Sequence, residues 1–170
     1  MKRLAIIAFL ALAVCAGSLF AEHPGGWGIG LQGGWAGGGG GGGLTLKAPK
    51  VPVYWTINLN PGWISVSGDY YFIDKALVSG AAGTLGWYLG LGGYVNIAYD
   101  HNVGYGYNGW YSHNYWFGIG AEVPIGLSWL PLNFLELYLQ LVPHIGIGIY
   151  DNGVGLWPGV GGSLGLRFWF

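Results

Sequence analysis

Phe117-Gly118-Ile119-Gly120-Ala121-Glu122-Val123-Pro124-Ile125-Gly126-Leu127-Ser128-Trp129 is the stretch that decides the fold of this chain. Its odd positions are all apolar, and its even positions are Gly, Glu, Pro and Ser. Side chains on a strand alternate between faces, so the pattern predicts a strand with one apolar face and one small or polar face. The pattern recurs over residues 135–149, where Leu135, Leu137, Leu139, Leu141, Ile145, Ile147 and Ile149 oppose Glu136, Tyr138, Gln140, His144, Gly146 and Gly148. At the end of the chain Leu164, Leu166, Phe168 and Phe170 oppose Ser163, Gly165, Arg167 and Trp169.

Composition decides what the apolar face meets. A soluble domain carries about 25% charged residues, whereas these 170 residues hold only six Lys or Arg and seven Asp or Glu, 8% in all. With a mean hydropathy of +0.44, too little polarity is left to clothe a water-facing surface. The 10 Trp, 12 Tyr and 7 Phe exclude disorder, and 36 Gly without a three-residue period exclude collagen. In a soluble sandwich the second face would carry charges, but here it carries mostly Gly, which suits a crowded interior. No segment after the first 21 residues is apolar for long enough to cross a bilayer as a helix, so a closed barrel is the way to satisfy backbone groups in lipid. The expected fold is all-β: a closed antiparallel up-and-down transmembrane barrel of about eight strands.

The same parity, carried backward, predicts strands near 27–35, 43–48, 52–59, 63–72 and 85–99. Thr45 and Lys47, and then Ser65, Ser67, Asp69 and Tyr71, turn inward. Turn formers mark connections at 37–43, 49–50, 60–62, 130–133 and 151–153. Two longer connections are expected at 73–84 and 100–114, and the second (DHNVGYGYNGWYSHN) falls on the side where such barrels carry long outer loops. Pro124 and Pro143 interrupt strands, each removing a ladder donor. Trp27, Trp35, Trp63, Tyr99, Tyr115, Trp116, Trp129, Tyr150 and Trp169 gather toward strand ends, as interfacial girdles do.

The chain begins Met1-Lys2-Arg3, continues with an apolar run over 4–16, and reaches small residues before Ala21 and Glu22. This is the layout of a secretory signal peptide over 1–21, leaving 22–170 as the barrel and directing it to the outer membrane. Cys15, the single cysteine, leaves with the leader, so neither a disulfide nor a Cys zinc site is expected. Lipidation of Cys15 is disfavoured by Val14, where a small residue is wanted.

With the terminal Leu-Arg-Phe-Trp-Phe in view, the chain resembles the small eight-stranded outer-membrane barrels of the OmpA/OmpX type. Phe168 and Phe170 resemble the signal read by the barrel assembly machinery. GDYYFI from Gly68, WYLGLGGY over 87–94, and EVPIGLSW from Glu122 followed by LEL and VP resemble a largely uncharacterised family of outer-membrane barrels known from spirochaetes and other diderm bacteria. The resemblance implies a fold and a location in contact with outer-membrane lipids, and brings no catalytic residues.

Candidate chemistry is thin. Gly28-Ile29-Gly30-Leu31-Gln32-Gly33 fits a dinucleotide fingerprint, but no helix is expected after it, so no cofactor is expected. His23, His101, His113 and His144 lack metal-ligand spacing, and Ser112-His113 lacks an orienting third group. With so few Lys and Arg no basic patch exists for nucleic acid. Lys47, Asp69, Glu122, Glu136 and Arg167 fall on the interior face, where charges are costly unless paired, and form an expected lumen network. A short connection near 150–155 sets Arg167 opposite about position 137, beside Glu136, with Glu122 and Asp69 completing the network with Lys47. In the long loop Tyr105, Tyr107, Trp110 and Tyr111 exceed what a girdle needs and suit contact with an extracellular ligand. The expected function is a structural envelope barrel without catalysis. The alternatives are a narrow pore for small solutes and a lipid-modifying outer-membrane enzyme.

Overall fold

The computed structural model describes residues 23–36, 39–98, 115–150 and 153–170. All regular structure in them is antiparallel strand: β1 (Gly28–Ala36), β2 (Gly39–Lys47), β3 (Val53–Asn60), β4 (Trp63–Gly80), β5 (Gly83–Ala98), β6 (Tyr115–Glu122), β7 (Ile125–Leu132), β8 (Leu135–Tyr150) and β9 (Gly153–Trp169). Every strand pairs with its chain neighbours except that β6 and β7 do not pair with each other, and β1 pairs with β9, so the hydrogen bonds run in a ring without a free edge. The ring has eight places for nine strands because β6 and β7 share one, both lying between β5 and β8.

Pro124 is the reason for the split. It has no N–H to give to a ladder, and at this point the chain leaves strand geometry for Val123 and Pro124. The backbone groups are satisfied all the same: Gly90 N–H donates to Pro124 O at 2.8 Å and Val123 N–H donates to Pro143 O at 2.9 Å. Pro143 stays inside β8, opposite Val160.

Outward parity holds along residues 117–129. Ile119, Ile125, Leu127 and Trp129 are exposed, whereas Gly118, Gly126 and Ser128 are buried. Trp87, Leu127, Leu139 and Leu164 stand in one register row across four ring positions, an apolar belt on the outside. The expected girdle divides: Trp27, Trp35 and Trp129 are exposed, but Trp63 and Trp169 are buried inside. Tyr99 lies outside the described residues, as do the side chains of Tyr115, Trp116 and Tyr150.

Inward glycines take their meaning from the register. Tyr88 is opposite Gly126, Tyr138 opposite Gly165 and Tyr94 opposite Gly120. A Cβ at any of these three glycines would strike the tyrosine ring lying over it. Gly on one strand thus gives room to an aromatic side chain on the next, a cross-strand device that pins register and fills a narrow interior.

Two expected connections are corrected. The glycine run at 37–43 is strand from Gly39 onward, with Gly39 to Gly43 paired to β1 from Ala36 to Gln32. Their backbones supply the ladder, and at Gly41 and Gly43 the missing side chains make way for Asn60 and Asn58. The long connection expected at 73–84 is a continuous hairpin that turns only at 81–82. A bulge between Tyr71 and Ile73 places Phe72 as an extra residue, resets the parity, and sets Asp74 opposite the buried Tyr88. The Pro61-Gly62 turn follows expectation, with Gly62 at φ 87° where a type II turn needs a positive angle.

Candidate functional site

The ring interior divides into two layers. At the end where β1 begins and β9 finishes, Trp27 and Phe170 exchange backbone hydrogen bonds of 2.8 and 2.9 Å. Residues ahead of Trp27 fold back inside, which buries His23. Its Nδ1 lies 2.7 Å from Asp74 Oδ1 and its Nε2 lies 2.8 Å from Glu136 Oε1. Carboxylate oxygens accept, so both ring nitrogens must donate, which makes His23 an imidazolium. Burial alone disfavours that cation, but Glu136 and Asp74 outweigh it and raise the His23 pKa to about 9.

Glu136 is the hub, with 0% of its surface exposed. Its second oxygen, Oε2, accepts from Arg167 Nη1 at 2.9 Å and from Trp169 Nε1 at 2.8 Å. Arg167 and Glu136 are direct register partners across β8 and β9, in the adjacency the short final hairpin implies. Arg167 Nε donates to Thr45 Oγ1 at 3.0 Å, passing over Gly30, which stands between the two residues in the register. Its guanidinium also lies 4.9 Å from the centroids of Tyr54 and Tyr138. Around His23, Tyr54 stacks on Tyr71 at 4.1 Å and Tyr71 on Tyr88 at 4.4 Å. Two cations, Arg167 and His23, thus balance two anions, Glu136 and Asp74, inside an aromatic collar. Buried charges are tolerable when paired and hydrogen-bonded in this way.

The far layer is built differently. Asp69, Gly92, Glu122 and His144 form one register row across four ring positions. Because Gly92 has no side chain, Asp69 and Glu122 meet over it and share a hydrogen bond. A Cβ at Gly92 would strike Asp69 Oδ1. Between the layers, Tyr88 donates to Gln140 Oε1 at 2.9 Å, Tyr138 to Gln32 Oε1 at 2.7 Å, and Gln32 Nε2 to Asn58 Oδ1 at 2.8 Å.

The single network expected of Lys47, Asp69, Glu122, Glu136 and Arg167 is therefore two separate clusters. Lys47 joins neither by an ion pair among the described residues: its Nζ donates to Ala48 O at 3.0 Å and lies 5.4 Å from the Tyr54 centroid. Tyr54 stands between Lys47 and Asp69 in the register, and the ammonium lies over that ring. The reading missed His23 and Asp74. His23 precedes the first strand and has no parity, and Asp74 follows a bulge that parity counting does not see. Phe168 and Phe170 are exposed on the outer face. Tyr105, Tyr107, Trp110, Tyr111, His101, Ser112, His113, Cys15 and the leader over 1–21 lie outside the described residues. No His, Cys, Asp and Glu grouping suited to a metal ion occurs among the described residues. In comparison with known proteins, no family model, no curated protein and no solved structure matches this chain.

Proposed function

We propose that the chain is an integral outer-membrane β-barrel with a structural role in the envelope, exported by a leader over 1–21. The observation that carries this reading is the pairing of an apolar outside with a polar inside on a ring that has no edge. Leu31, Leu91, Leu139, Leu141, Ile145 and Leu164 stand exposed on the outer face. Contiguous apolar surface of that extent is unstable in water and ordinary in lipid. Carboxylates, amides and hydroxyls are turned inside. Phe168 on the last strand and Phe170 just beyond it are exposed, which supports reading them as an assembly signal.

The terminal layer supports a barrel closed at rest. Cleavage after Ala21 would leave a single residue before His23, and so short a segment can end within the ring as a plug. Conduction, the second reading, then requires that segment to leave, since it occupies the interior beside Glu136 and Arg167. A binding role for Tyr105 to Tyr111 would be an addition to this scaffold. The test is extraction of envelope membranes with carbonate and urea: the protein stays with the membrane until detergent is added. Release into the aqueous phase without detergent contradicts the reading.

A further inference from the structure

The far layer surrounds a cavity of about 90 Å³ whose wall includes Asp69, Glu122, Asn96, Ser163, Tyr94 and Trp157. Two carboxyl groups share a hydrogen bond only when one of them carries the proton, so the Asp69–Glu122 pair holds one negative charge. No Lys or Arg lines this cavity; Lys47 and Arg167 belong to the other layer. His144 also lines the wall, with its Nδ1 3.2 Å from Val142 O.

A second observation is independent of the acidic pair. Asn96 Oδ1 and Ser163 Oγ, on residues 3% and 6% exposed, are buried without a hydrogen-bond partner. They come from β5 and β9, two different parts of the ring, and line the same space as the carboxyl pair. Native structures rarely leave buried polar atoms unanswered. Unanswered oxygens beside a carboxyl pair that no Lys or Arg faces call for an occupant rich in N–H groups and positively charged. The rings of Tyr94 and Trp157 flank His144 at 5.7 and 6.1 Å and add aromatic wall, which attracts an organic cation further.

We propose that this cavity binds a small organic ammonium ion. A water-sized centre takes roughly 10–15 Å³, so the 90 Å³ available fits a cation of a few heavy atoms rather than a peptide or a glycan. The site does not depend on whether the ring sits in a membrane.

The experiment is a calorimetric titration of the refolded chain in detergent micelles with ethylammonium chloride, with ethanol as the neutral probe of similar size. Saturable binding of ethylammonium and none of ethanol is expected. Replacing both carboxyl groups, Asp69→Asn together with Glu122→Gln, should weaken that binding about tenfold or more, because either carboxyl alone still carries the negative charge that makes the contact charge-assisted. Asn96→Leu should weaken it too, by removing an acceptor without touching the acidic pair. Lys50→Asn, in the turn at the other end, should leave it unchanged, and heat-modifiable gel mobility identifies folded variants. Absence of saturable ethylammonium binding, equal binding of ethanol, or an unchanged affinity in whichever of the two cavity variants folds would overturn the proposal.

Discussion

In the terminal layer Arg167, His23, Glu136 and Asp74 carry four formal charges that cancel pairwise. In the far layer one proton-sharing carboxyl pair sits among Ser, Thr, Asn and Gln with no Lys or Arg opposite it. Both layers belong to the same ring and face the same narrow interior. The difference teaches what each is built for. Balanced charges locked among rings make a rigid closure, while orphaned acceptors around a cavity leave capacity for something else.

The sharpest break in this comparison comes from Arg167→Met. Glu136 would lose its fixed cation while fully buried, and removing one partner of a buried pair costs about 3–5 kcal/mol. The urea midpoint should fall accordingly. If Asp69→Asn lowered it by the same amount, the two layers would not differ as described.

His23→Ala comes next. It removes hydrogen bonds to two carboxylates, each worth about 1.5–3 kcal/mol when charge-assisted, but leaves the Arg167–Glu136 pair in place. Planar-bilayer recordings should show no steps for the parent chain and discrete steps for this variant. Steps of equal size and frequency in both would mean that the His23 segment closes nothing.

A pH series sharpens the same point. The His23 pKa is raised from about 6.5 to about 9 in the docked state. Its contribution is therefore fully present below pH about 6.5 and is lost as pH rises through about 9. The stability gap between the parent chain and His23→Ala should hold at pH 6 and shrink toward pH 10. A gap that widens with rising pH would contradict the imidazolium assignment.

The smallest effect is expected in the far layer. Asp69→Asn keeps shape and hydrogen-bonding capacity toward Glu122, so its cost should be about 1 kcal/mol. Unfolding of the variant outright would show that the carboxyl pair is a structural closure like the one around Glu136.

Much of this was legible in the residues. Period-two alternation sorted Leu139 from Gln140 and Leu127 from Ser128, and the short hairpin after Tyr150 put Arg167 beside Glu136. Alternation fails wherever a residue is inserted or a strand is absent. Phe72 is one such insertion, and it carried Asp74 from an assumed connection to the interior. His23 lies before the first strand, so only the fold-back of its segment reveals its partners. Pro124 signalled an interruption, but which strands would share the broken place depended on both halves pairing with β5 and β8. Lys47 shows the opposite failure: its face was read correctly, yet the Tyr54 ring stands between it and Asp69.

The central claim is that the apolar row Trp87, Leu127, Leu139 and Leu164 faces lipid. Cys15 lies in the proposed leader, so a chain from residue 22 onward has no other cysteine to label. Nitroxides placed singly at Leu127→Cys, Leu139→Cys and Leu164→Cys in refolded, lipid-reconstituted protein report their surroundings by power-saturation spectroscopy. All three should collide readily with dissolved oxygen and poorly with a water-soluble nickel chelate. Ready collision with the chelate at all three positions would put that row in water and contradict the account.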